Sequence, residues 1–181
     1  MKPYILFLFI IISSASFAQV DVQVASIRKN YQKINSIKKW TKVDTVDLEQ
    51  STEGGILYRY YLGDTLKKMS ERNYGENGQG ITEYYATNKE LFFIYDKEYN
   101  YNRPLYWDSA RMKENKDNQV FNLKKSKIDI SRFYFDKGKL IEWIDSKNKV
   151  HTKRTDTLIQ NESGNEEHYK YLLLLGKKKG K

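Results

Sequence analysis

The chain has 181 residues, no cysteine, and 32 Lys and Arg against 23 Asp and Glu, for a formal net charge of +9. That length suits one domain with a real core and leaves little room for two. The absence of cysteine excludes a disulfide framework and a thiolate metal site, so packing must hold the fold together.

The chain opens with Lys2, an apolar run from Tyr4 to Ile12, and the small-residue stretch Ser13-Ser14-Ala15-Ser16-Phe17-Ala18. This order of charge, apolar core and small-x-small site predicts a signal peptide over residues 1–18, cleaved after Ala18. The apolar run is far shorter than the ~20 residues a spanning helix needs. No cysteine follows it that could carry a lipid. The expectation is therefore a periplasmic or secreted domain over residues 19–181, without stable membrane insertion. Five of the positive charges belong to Lys2 and to the basic tail 176–181 (Lys177, Lys178, Lys179, Lys181), so the folded body is only about +4. Export argues against a nucleic-acid partner and favours a protein or an anionic envelope polymer.

From Val24 the apolar residues Val24, Ile27, Tyr31 and Ile34 recur at helical steps, which predicts an amphipathic helix over about 21–39. Beyond Trp40 the residues become β-branched and aromatic, punctuated by turn signals, as strands and hairpins read. An internal repeat stands out. Arg59-Tyr60-Tyr61, the turn Gly63-Asp64 and Leu66 match Glu83-Tyr84-Tyr85, the turn Thr87-Asn88-Lys89 and Leu91. Arg132-Phe133-Tyr134, the turn Asp136-Lys137-Gly138 and Leu140 give a third copy. Each copy predicts a β-hairpin, and consecutive hairpins predict a meander. Strand alternation in this alignment points Tyr60, Tyr84 and Phe133 into the core, and the flanking Arg59 with Tyr61, Glu83 with Tyr85, and Arg132 with Tyr134 outward.

Residues 102–125 break the repeat and predict an irregular insertion, with Pro104, Trp107 and the hydrophilic run Arg111–Asn118. Long segments of this kind are functional or mobile. Its aromatic entrance, residues 99–107 with Tyr99, Tyr101, Tyr106 and Trp107, predicts packing or binding. Residues 148–162 carry no clear signal. Ser163-Gly164-Asn165-Glu166 then has the form of a capping box and predicts a short helix over about 164–175, stopped at Gly176.

No constellation carries defensible chemistry. His151 and His168 have no partner at metal-ligand spacing, no nucleophile elbow is present, and the glycines Gly75, Gly78 and Gly80 lack a following Lys-Ser or Lys-Thr. Glu53, Glu71, Glu76, Glu83, Glu98 and Glu142 are candidates for a carboxylate pair of the glycosidase kind, but charges interspersed on strands more often form cross-strand pairs. Asp44-Thr45-Val46, Asp64-Thr65-Leu66, Asp108-Ser109-Ala110 and Asp156-Thr157-Leu158 look like the acceptor triplet of O-glycosylated exported proteins in one group of Gram-negative bacteria; Asp-Thr is also a common turn or cap pair.

The repeated Tyr-Tyr-turn-Leu units, with Ser51-Thr52-Glu53-Gly54-Gly55 and Tyr74-Gly75-Glu76, resemble small secreted proteins of unknown function from Gram-negative bacteria and, more distantly, the MORN-type hairpin-repeat families. The resemblance spans roughly residues 50–145, lacks the MORN glycine spacing, and implies an antiparallel scaffold or interaction surface without active-site residues.

Together these features predict an α+β domain: an N-terminal helix packed on an antiparallel meander of about six or seven strands, with a short C-terminal helix. The expected role is an exported, non-catalytic binding module without metal or cofactor. Its ligand-contacting residues would be Arg59, Tyr61, Glu83, Tyr85, Tyr101, Tyr106, Trp107, Arg132 and Tyr134. The rivals are an inhibitor of a secreted hydrolase, inserting residues 102–118, and a carboxylate-dependent glycan hydrolase.

Overall fold

The computed structural model describes residues 4–49 and 51–176, with only the backbone of residues 4–18. Lys2 of the expected leader and the lysines at 177–181 lie outside the described residues. Helix α1 (Tyr4–Asn35) is followed by strands β1 (Lys42–Leu48), β2 (Gly55–Leu62), β3 (Thr65–Tyr74), β4 (Gly78–Thr87) and β5 (Glu90–Asn100). The insertion carries a short helix α2 (Ser109–Glu114) and a 3-10 turn (Leu123–Lys125). Strands β6 (Lys127–Asp136), β7 (Lys139–Ile144) and β8 (Val150–His151) and helix α3 (Asp156–Leu174) complete the fold. The strands form one 8-stranded antiparallel sheet in sequence order, a pure meander. The α+β class and the arrangement of helices around a meander are as the sequence predicts.

The three expected hairpins form, but their register differs from the aromatic alignment. All three hairpins close with two-residue turns, Gly63-Asp64, Asn88-Lys89 and Lys137-Gly138, because Leu62 pairs with Thr65, Thr87 with Glu90 and Asp136 with Lys139. Asn88 and Lys89, and Lys137 and Gly138, have positive φ at both positions, as the turns matching strand twist require. Each hairpin shifts register at the same place, leaving Lys67, Phe92 and Ile141 as the extra residues. Counted from the turns, Tyr60 is therefore equivalent to Tyr85 and Tyr134, and Arg59 to Tyr84 and Phe133. The first copy is slipped by one residue, and a one-residue slip exchanges the faces of a strand.

Both faces are covered, each by one helix crossing the strands. On one face α1 follows the paired row Tyr60–Lys68–Tyr85–Phe93–Tyr134–Glu142. Val24, Ile27 and Ile34 pack with buried Tyr85, Phe93 and Tyr134, and the Tyr31 ring meets Tyr85 and Phe93 edge-on with centroids 5.0 Å apart. The helix ends at Asn35, short of the predicted 39, where its side-chain oxygen accepts a 3.0 Å hydrogen bond from Tyr85 Oη.

On the other face α3 covers the row Arg59–Met69–Tyr84–Ile94–Phe133–Trp143 and the aliphatic positions Leu66, Ala86, Leu91, Phe135 and Leu140. Leu158, Tyr169 and Leu172 supply its buried stripe. The helix begins a full two turns before the predicted capping box. Thr155 is the N-cap, accepting from Leu158 N at 3.3 Å, and Asp156 sits in the favourable first turn. Ser163 lies mid-helix, and its hydroxyl donates back to Ile159 O at 3.1 Å. The Leu158 anchor, three residues past the Thr155 cap and inside the unassigned stretch, overrides the later cap signal.

Gly164 consequently sits in an exposed helix interior with nothing within 4 Å of an added Cβ. Gly164→Ala should stabilise the protein by about 0.5–1 kcal/mol in urea denaturation. Leu172→Ala, at a fully buried position, should destabilise it by about 2–5 kcal/mol. A neutral Leu172→Ala would mean that α3 does not dock here.

Candidate functional site

The two helices each lie over the sheet half nearest the two-residue turns. Past the α1 row, the same face continues through Tyr58–Ser70–Glu83–Tyr95–Arg132–Ile144, then Ile56–Arg72–Ile81–Lys97–Ile130, then Tyr74–Gln79–Tyr99–Ile128. Rings and cations interleave along these rows. The Arg72 guanidinium lies 5.4 Å from the Tyr58 ring centroid, Lys97 Nζ 4.6 Å from that of Tyr99, and the Arg132 guanidinium 5.9 Å from that of Tyr95. Glu83, the carboxylate among these rows between β3 and β6, is held by Lys68 Nζ at 2.5 Å and by Tyr85 Oη at 2.6 Å. Arg72, Lys97 and Arg132 are thus left to face outward as positive charge on an aromatic floor.

Several residues predicted to face a ligand are structural. Tyr85 (0% exposed) and Tyr134 (3%) lie beneath α1, where burial pushes the Tyr85 phenol far above its usual pKa. Arg28 Nε donates to Tyr134 Oη at 3.3 Å. Arg59 (4%) points to the opposite face and donates from Nη2 to Leu172 O and Leu175 O, both at 2.6 Å, with Asp44 at 3.4 Å from Nη1. It closes the carbonyl-rich end of α3. Tyr61 packs beside it on the α3 side, under Lys42. Of the flanking positions Arg132 lies on the open face, with Glu83 neutralised beside it. Tyr60 lies not in the core with Tyr84 but against Trp40 on the α1 side.

The insertion is folded. Arg103 bridges Asp117 through Nη2 and Oδ1 at 2.7 Å and through its Nε, and Trp107 Nε1 donates to Asp117 Oδ2 at 3.0 Å. Tyr101 packs edge-on against Phe121. Backbone bonds from Tyr101 N to Asn77 O and Leu105 N to Glu76 O tie the segment to the β3–β4 turn. Leu105 (50% exposed) and Tyr106 (46%) stand outside. Of the four Asp-Ser/Thr triplets, Asp108 caps α2, the role such pairs commonly take, and Asp156 lies in the first turn of α3 behind the Thr155 cap.

Sequence reasoning reached Tyr99 through the aromatic segment that it opens, but missed Arg72, Tyr95 and Lys97. The signal was present in Tyr95-Asp96-Lys97-Glu98-Tyr99, whose strict alternation puts rings and a cation on one face and carboxylates on the other.

That other face carries a second cluster. Glu71 (4% exposed) accepts from Tyr84 Oη at 3.2 Å and Asn73 Nδ2 at 3.0 Å, and meets His168 Nε2 of α3 at 2.8 Å. Asp96, one strand past Thr82 in the same row, accepts from the Thr82 hydroxyl at 2.8 Å. Glu142 lies on the α1 face beside Arg28, so it cannot converge with Glu71. Among the described residues no three His, Asp or Glu side chains form a metal-holding group, and no described helix is long and apolar enough to cross a membrane.

No protein-family model, curated protein or solved structure matches the chain.

The Glu71–His168 contact makes stability depend on pH. Burial alone would raise Glu71, but the hydrogen bonds from His168, Asn73 and Tyr84 outweigh it and hold the carboxyl below its usual range; the same bond raises His168. A raised His168 contributes stability fully below its unfolded value of about 6.5 and loses that contribution as pH rises through its folded value. The depressed Glu71 contributes above about 4.3 and loses its share on acidification. The pair is therefore most stabilising between those values. The urea midpoint should fall between pH 6.5 and 8, and His168→Gln should flatten that fall. An identical slope in the variant would contradict the assignment.

Proposed function

We propose that the protein is an exported, non-catalytic binding module whose ligand is a protein or an anionic envelope polymer, held on the open half of the α1-side face. The observation that carries this reading is the set of cations Arg72, Lys97 and Arg132 resting on Tyr58, Tyr99 and Tyr95, with Glu83 already neutralised by Lys68. A flat sheet of rings stiffened by its ladder is preorganised, so a partner loses little by ordering it. Tyrosine and arginine are the residues that interfaces favour. The resemblance to secreted hairpin-repeat proteins belongs to the same proposal, as does export by cleavage after Ala18.

A second reading rests on the insertion. A loop braced by the Arg103–Asp117 bridge and presenting Leu105 and Tyr106 has the build of an inhibitory wedge. It predicts that Tyr106→Ala abolishes partner binding while the sheet variants do not.

The test is retention of the exported protein on immobilised dextran sulfate and its recovery of partners from envelope extract, in wild type and in Arg72→Gln/Lys97→Gln. The double variant removes two half-buried cations that belong to neither core cluster. Its retention and recovery should drop at least tenfold and wild-type retention should fall steeply with salt. Equal behaviour of the two proteins would remove this surface from the function.

A further inference from the structure

Where the open face meets the flank of α1 there is a cleft of about 490 Å³, within the range of small-ligand sites. Its floor is Phe93 and Ile144, its walls are the rings of Tyr31 and Tyr95, and Arg28 and Arg132 stand at its edges. The rings are fixed rather than adaptable. Tyr31 is locked by its edge-on contact with Phe93, and Phe93 is itself 4.9 Å from the Tyr134 centroid. The two cations are only partly engaged. Arg28 has Glu142 at 3.6 Å and Tyr134 Oη at 3.3 Å, whereas Arg132 rests on the Tyr95 ring and ion-pairs with no carboxylate among the described residues. The other clefts lack this combination. The one beside Asn30 and Asn88 sets Glu90 and Asp136 against its Lys137, and the one within the insertion holds no cation.

We infer that this cleft binds a small aromatic carboxylate, its ring lying against Phe93 and Ile144 between Tyr31 and Tyr95 and its carboxylate reaching Arg132, with Arg28 opposite. An apolar floor with a guanidinium at the rim fixes both the body and the charge of the ligand. A carboxylate accepts the two parallel N–H bonds that a guanidinium offers, which a neutral amide cannot reproduce. Flat ring walls favour an aryl body over a flexible alkyl chain, which would lose more rotamer freedom on entry. The cleft is separable from the macromolecular surface, because Arg72 and Lys97 do not line it.

The experiment uses protein expressed from the full coding sequence and follows backbone amide shifts on titration with 3-phenylpropionate, its neutral amide 3-phenylpropanamide, and nonanoate, which has the same number of carbons. Saturable shifts at Tyr95, Arg132 and Ile144 are expected with 3-phenylpropionate. Affinity should be at least tenfold weaker for the amide and several-fold weaker for nonanoate. Arg132→Gln should weaken 3-phenylpropionate about tenfold, while Arg72→Gln leaves it unchanged; Arg28→Gln serves as the second variant should Arg132→Gln not fold. The inference is overturned if the amide or nonanoate binds as tightly as 3-phenylpropionate, if the shifts map elsewhere, or if the cleft arginine variant binds like wild type.

Discussion

One meander sheet with two helices must bury two faces at once, and it does so at one end only. Every strand sends alternate side chains to opposite sides, so neighbours such as Tyr84 and Tyr85 fall in different cores, one under α3 and the other under α1. Neither helix could be removed without exposing a row of large side chains. Each buried aromatic or aliphatic side chain contributes about 1.5–3 kcal/mol by leaving water. The α3 end of this arrangement is fastened by Arg59, whose buried guanidinium satisfies the last carbonyls of the helix. Leaving those groups unpaired in the interior would cost more than the bonds themselves contribute.

The other end of the sheet must be stable without a helix, and it uses side chains across strands instead. The two open halves do this with opposite chemistry. The α1 side stacks Arg72, Lys97 and Arg132 on tyrosines. The α3 side gathers Asp96, Glu98 and Asp129 beyond the helix, and burial, then neighbouring carboxylates, raise Asp96 and Glu98 above their usual range, with the Thr82 bond opposing this at Asp96. The open part of the sheet is thus cationic and aromatic on one side and anionic on the other. That asymmetry, rather than the modest net charge of the folded body, is the electrostatic feature on which the proposed function rests.

Much of this was legible in the sequence. The Val24, Ile27, Tyr31, Ile34 stripe marked α1 and its buried side, and Leu66, Leu91 and Leu140 sit at equivalent positions two residues past their turns. Matching the aromatic pairs misled, because Tyr60-Tyr61 and Tyr84-Tyr85 look alike while their distances from the turn differ by one. Only hydrogen-bond register reveals that. The site suffered most from assuming a single buried face: with both faces covered near the turns, Tyr85 and Tyr134 became core and the displayed surface moved down the strands to Tyr95, Lys97 and Tyr99. The start of α3 was hidden because the cap at Thr155 is weak in pattern and is reinforced by docking of Leu158, a long-range contact.

Half-coverage of the sheet can be tested directly by nitrating tyrosines in the native protein with tetranitromethane and mapping the products by mass spectrometry. Tyr99 and Tyr106 should react readily, while Tyr84, Tyr85 and Tyr134 stay unmodified until the protein is denatured. Modification of Tyr85 and Tyr134 at the rate of Tyr99 would show that α1 does not cover its row, and the division of the sheet into a packed half and a displayed half would fail.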